Sequence, residues 1–92
     1  MNLYKNKTIL ITGASSGIGE VFAKRLNEYG AKLILTARSE DKLLKMASKM
    51  NDAHVIAGDL SKKEFSKELY NRVKEKNLNV DILINNAGFV YS

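Results

Sequence analysis

Three glycines, Gly13, Gly17 and Gly19, follow the apolar run Ile9-Leu10-Ile11 and open a segment with apolar residues at Ile18, Val21, Phe22, Leu26 and Tyr29. The run reads as a short buried strand, and the spacing after the glycines reads as an amphipathic helix. A strand, a glycine turn and a helix start, in that order, make a cradle for phosphate. Glycine lets the backbone come close to a ligand. The first amides of a helix have no partner within it and face an anion with the helix dipole behind them. Counted from Thr12 the motif is T-G-x-x-x-G-x-G, a variant of the G-x-G-x-x-G dinucleotide fingerprint. Ser15 and Ser16 lie inside the turn with no base beside them in sequence, so they do not read as nucleophiles.

Further candidates follow the later apolar runs. Ala37 and Arg38 come directly after Lys32-Leu33-Ile34-Leu35-Thr36. An arginine fork bonds phosphate through two parallel hydrogen bonds, and Ser15 or Ser39 would add a hydroxyl donor. The plain alternative for Arg38 is a surface cation near a helix start. Asp59-Leu60 follows His54-Val55-Ile56-Ala57 and reads either as a ligand contact or as the turn before the next helix. Asn85-Asn86-Ala87-Gly88 closes the run Asp81-Ile82-Leu83-Ile84, where a ligand-facing turn and an ordinary strand-to-helix turn use the same residue types.

The elements that must position these residues alternate in type. Strands are expected over Thr8 to Thr12, Lys32 to Thr36, His54 to Ala57 and Asp81 to Ile84. Helices are expected from about Ser16 to Tyr29, ended by Gly30, and from Glu40 to about Met50, with Ser39 as N-cap. A third begins with the capping-box sequence Ser61-Lys62-Lys63-Glu64 and buries Phe65, Leu69 and Val73. Strands alternating with helices imply an α/β fold with a parallel sheet, most simply in the order 3-2-1-4. That order brings the glycine turn and Asn86-Ala87-Gly88 to the carboxyl ends of neighbouring strands, where open α/β sheets bind ligands.

Together the two motifs, in this order and strand context, resemble the N-terminal half of the short-chain dehydrogenase/reductase family, and the resemblance runs from Lys7 to Gly88. It implies a partial Rossmann sheet that binds a nicotinamide dinucleotide and belongs to an oxidoreductase. The implied cofactor contacts are Gly13, Ser15, Ser16, Gly17, Ile18, Gly19, Arg38, Asp59, Leu60, Asn86, Ala87 and Gly88. Family members that prefer NAD carry an acid where this chain has Ala37, so Ala37 with Arg38 favours NADP over NAD. By the same resemblance, Asp59-Leu60 lies along the adenine and Asn86-Ala87-Gly88 lies beneath the adenosine ribose. The family's catalytic serine and Tyr-x-x-x-Lys fall beyond the last of these motifs, in a domain of up to about 250 residues. The expectation is therefore a truncated dinucleotide-binding domain over residues 1–92, inactive alone for want of its catalytic half. Tyr70 and Lys74 match the Tyr-x-x-x-Lys spacing but precede the fourth strand, and they read as structural.

Composition bounds the rest. A chain of 92 residues makes one small domain, and its 45% hydrophobic and 27% charged residues are those of a globular protein. There is no cysteine and a single histidine, His54, so disulfides are excluded and a metal site is not expected. No apolar run approaches membrane-spanning length and no signal-peptide core is present, which suggests a cytoplasmic setting with no membrane partner. The net charge of +5 comes from lysines interleaved with acids at helical spacing, without the arginine stripe of a nucleic-acid binder. A second reading is a non-catalytic nucleotide-binding or interaction module. Such a module would self-associate through the open edge of the fourth strand or through Phe89-Val90-Tyr91.

Overall fold

The computed structural model describes residues 2–87. Seven elements alternate along the chain: β1 (Thr8–Thr12), α1 (Gly17–Glu28), β2 (Lys32–Thr36), α2 (Glu40–Ala47), β3 (Ala53–Val55), α3 (Lys63–Glu75) and β4 (Ile82–Asn85). The four strands form one parallel sheet in the order β3-β2-β1-β4, as the alternation predicts. β1 lies between β2 and β4, pairing Thr12 with Thr36 on one side and with Asn85 on the other. The carboxyl ends of three strands therefore finish level with one another.

Side-chain alternation divides the apolar residues between two faces. Ile9, Ile11, Leu33 and Leu35 pack with Ala23 and Leu26 of α1 and with Leu43 and Met46 of α2. On the opposite face Ile34 and Ile56 pack with the predicted stripe Phe65, Leu69 and Val73 of α3. Covering both faces is what allows near-continuous apolar strands.

The helix α1 differs from the expected pattern. Its buried residues are Gly19, Ala23 and Leu26, while Ile18, Val21, Phe22 and Tyr29 are exposed. Ile18, Phe22 and Tyr29 lie about a quarter turn away from the buried row. The small residues win the inner face because they let the helix approach the sheet closely. At its far end the amide of Ala31 donates to Leu26 and that of Gly30 to Asn27, a Schellman closure at the glycine foreseen there.

Other boundaries shift for local reasons. α2 stops at Ala47, not Met50, because Lys49 and Met50 bond back to Met46 and Ala47 in tighter turns and the Ser48 hydroxyl donates to the Lys45 carbonyl. Ser39 stands at the N-cap of α2 but makes no side-chain cap bond. The capping box at Ser61 does not form: the N-cap of α3 is Lys62, and the Ser61 hydroxyl turns back to Asp59. β3 is one residue earlier and shorter than expected, since its register with β2 runs from Leu33–Ala53 to Leu35–Val55. β4 begins at Ile82 because Asp81 is spent anchoring β1. Its amide donates to the Thr8 carbonyl and its carboxylate accepts from the Thr8 amide at 2.9 Å.

β4 has no neighbour on its outer side among the described residues, and Leu83 is 58% exposed. The segment Phe89-Val90-Tyr91 lies outside those residues. Tyr70 is exposed on α3, with the Lys74 ammonium 5.9 Å from its ring centroid.

Ile34, wholly buried between β2 and α3, tests the packing. Ile34→Val should destabilise the chain by about 1 kcal/mol. In thermal unfolding that lowers the midpoint by about 4–8 °C. An unchanged midpoint would show that α3 does not pack on the sheet as described.

Candidate functional site

At the carboxyl ends of the strands a cleft of about 480 Å³ opens between the turn after β1, the turn after β2 and the loop leading to α3. Its floor and walls are built by the backbone before any side chain contributes. Gly13 and Gly17 have φ of +63° and +56°, a region that side chains other than glycine enter at a cost. Gly19 is constrained differently, by space. A Cβ there would collide with the Gly13 carbonyl oxygen and come within 2.7 Å of the Asn86 amide nitrogen. The start of α1 is thus pressed onto the turn. Ser16 stands at the N-cap without a side-chain cap bond, so the first amides of α1 are not closed off by it.

A hydrogen-bonded seam fixes the turn to β4. The Thr12 hydroxyl donates to the Asn85 side-chain oxygen at 2.9 Å and accepts from the Ala87 amide at 3.1 Å. The Asn86 side-chain amide donates to the Gly13 carbonyl at 3.2 Å. On the other flank the Ala14 amide donates to the Thr36 carbonyl, tying the turn to β2.

Asp59 carries the acid of the cleft. One of its oxygens, Oδ1, accepts both the Ser61 hydroxyl at 2.6 Å and the Ser61 amide at 2.9 Å. These two bonds hold its pKa below the ordinary aspartate value, against a smaller opposing effect of desolvation. The Arg38 and Lys62 charges push in the same direction. The carboxylate is therefore ionised at neutral pH, with the exposed Arg38 guanidinium on the same cleft.

Of the twelve residues singled out from the sequence, Gly13, Ser15, Ser16, Arg38, Asp59, Leu60, Asn86 and Ala87 line this one cleft. Gly17, Ile18 and Gly19 form the helix start behind it, with Ile18 65% exposed. Gly88 lies outside the described residues. Ala37 and Ser39, weighed from the sequence for cofactor choice, also line the cleft. Gly58 and Ser61 were not foreseen as lining residues. Gly58 is there because the Phe65 ring of α3 fills the place of its Cβ, and a glycine next to Asp59 was the available signal. Tyr70 and Lys74 line a separate groove with Leu69 and Leu83, so the Tyr-x-x-x-Lys match does not join this site. No cluster of three or more metal-ligating side chains occurs among the described residues, and none of their helices is long and apolar enough to cross a membrane.

The sequence profile of the short chain dehydrogenases matches residues 7–92. The chain belongs to the short-chain dehydrogenase family. It is 38% identical over 94 residues to an uncharacterized oxidoreductase of Staphylococcus aureus, covering 100% of this chain and 41% of that protein. It is 44% identical over 90 residues to an uncharacterized oxidoreductase of Listeria monocytogenes, covering 94% of this chain and 36% of that one. Among solved structures, L-sorbose reductase from Gluconobacter frateurii, in complex with NADPH and L-sorbose, superposes with a TM-score of 0.85 at 31% identity. That match covers 99% of this chain and 37% of the reductase. The chain thus spans well under half the length of the family members it matches.

The glycines separate by mechanism in a way that can be measured. Gly19→Ala should force the turn away from α1 and move the amide resonances of Gly13 to Ser16, with a stability loss of about 2 kcal/mol. Gly17→Ala meets open space and should cost about 1–2 kcal/mol through its backbone angle alone, leaving those resonances in place. Equal disturbance of the turn by both variants would contradict the close approach at Gly19.

Proposed function

We propose that this chain is the NADP(H)-binding N-terminal portion of a short-chain dehydrogenase, the whole enzyme transferring hydride between nicotinamide and an alcohol or carbonyl substrate. The observation that carries the reading is the position of Arg38. It lines the same cleft as Gly13, Ser15 and Ser16, and the residue before it is Ala37, with no acid at the end of β2. A ribose hydroxyl asks for a carboxylate at that place, whereas a 2′-phosphate asks for a cation. The NADPH bound by the sorbose reductase supports the same choice.

In this reading each residue has one task. The amides at the start of α1 and in the glycine turn receive the diphosphate, with Ser15 and Ser16 as further donors. Arg38 grips the 2′-phosphate as a planar fork, and Ser39 stands beside it. Asp59 accepts from the adenine amine and Leu60 lies along the ring. Asn86, Ala87 and Gly88 support the adenosine ribose. The cofactor would supply the hydride itself. Among the described residues no Tyr-x-x-x-Lys pair lines this cleft, so the residues present here should by themselves turn over neither alcohol nor ketone. The cysteine-free composition suits a cytoplasmic setting.

An amide NMR titration with NADP and with NAD tests the assignment. Shifts at Gly13 to Gly19 and Arg38 should require about tenfold less NADP than NAD, and Arg38→Gln should abolish the difference. Equal affinity for the two dinucleotides in the unaltered chain would reject the NADP reading.

A second reading, a self-associating module, is favoured by the edge of β4, which no other strand pairs among the described residues, with Leu83 exposed on it. It predicts a monomer–dimer equilibrium in sedimentation at rising concentration, shifted toward monomer by Leu83→Lys. A monomer at all concentrations would remove this reading.

A further inference from the structure

Ser61 lines the cleft and bonds Asp59 but is none of the contacts assigned to the dinucleotide. Both its hydroxyl and its amide turn away from α3 and converge on a single oxygen of Asp59. The Lys62 amide bonds the Asp59 carbonyl at 3.0 Å, so the side chain and the backbone of Asp59 are held by consecutive residues. On the other side, Gly58 is held by its amide bond to the Ala37 carbonyl at 2.9 Å, and the Phe65 ring occupies the place a Cβ would take. Asp59 is therefore fixed along its backbone and at one carboxylate oxygen, and both Asp59 and Ser61 line the cleft.

We propose that Ser61 is a positioning residue for base recognition, holding the Asp59 carboxylate so that its second oxygen accepts a hydrogen bond from an exocyclic amine on the bound base. The proposal rests on the dinucleotide reading above and adds to it the residue that sets its base specificity. Two physical consequences follow from bonds converging on Oδ1. The rotamer of Asp59 is settled before a ligand arrives, so the ordering cost is not charged to binding. The carboxylate also stays ionised, since both bonds favour the charged form, and an ionised carboxylate only accepts. A base with an amine at that position matches it, and a base with a carbonyl there meets a repelling oxygen. The specificity is thus for an adenine over a hypoxanthine ring.

The probes are NADP and its deaminated, hypoxanthine-containing analogue, titrated into the unaltered chain and into Ser61→Ala, Ser61→Thr and Ser61→Cys. The unaltered chain should bind NADP about fivefold or more tightly than the analogue. Ser61→Ala, which loses the hydroxyl but keeps the amide bond to Oδ1, should lower that ratio by about twofold or more and raise the Asp59 carboxyl titration midpoint followed by carbon-13 NMR. Ser61→Thr, which keeps the hydroxyl, should preserve both. Ser61→Cys keeps the size with a weaker donor and should fall between, which serves if the alanine variant does not fold. A loss of affinity for both dinucleotides by the same factor in Ser61→Ala, with the ratio intact, would mark a merely structural role and overturn the proposal. So would an unaltered chain that binds both equally. An unaltered chain that binds neither overturns the dinucleotide reading itself and this proposal with it.

Discussion

The contact between the start of α1 and the glycine turn governs the rest of this structure. At Gly19 no room is left for even one carbon atom against the Gly13 carbonyl, so helix and turn share a single packed surface. That contact sets where α1 begins, and with it where the unpaired amides of the first turn lie. It also explains the inner face of the helix, where Gly19, Ala23 and Leu26 are buried while larger apolar residues stand outside. A helix drawn so close to a sheet cannot place Ile18 or Phe22 between them.

Around that contact, β1 acts as the fixed strand. It is tied to β4 at both ends, by Asp81 on the Thr8 amide and by the Thr12 hydroxyl between Asn85 and Ala87. It is tied to β2 through five paired residues and again through Ala14 on the Thr36 carbonyl. The turn therefore hangs between two anchored strand ends. Polar seams of this kind matter more than their number, because a buried donor left without an acceptor costs more than a bond gains.

Much of this was legible in the sequence, and what was not has local causes. The order of strands and helices, the sheet order and the buried stripe of α3 follow from apolar periodicity, which is strong where one face is wholly buried. Eight of the twelve proposed contacts meet on one cleft because the glycine motif and the Asn86 motif sit at adjacent strand ends. The face of α1 was misread because large apolar residues dominate a periodicity argument, while the residues that pack are glycine and alanine. The capping box failed for a related reason. Ser61 matches the pattern, but Asp59 two residues earlier competes for its hydroxyl and amide, and an ionised acceptor wins. Gly58 escaped notice because its reason is a phenyl ring seven residues away in sequence.

Arg38 and Asp59 place charges of opposite sign on one small cleft. A simple anion drawn in by the arginine and the helix start must also face the carboxylate, and a simple cation meets the reverse problem. On the proposed reading the cleft would work as a polarity filter: it would reward a molecule that is negative at one end and offers hydrogen to the other, and penalise any guest of uniform charge.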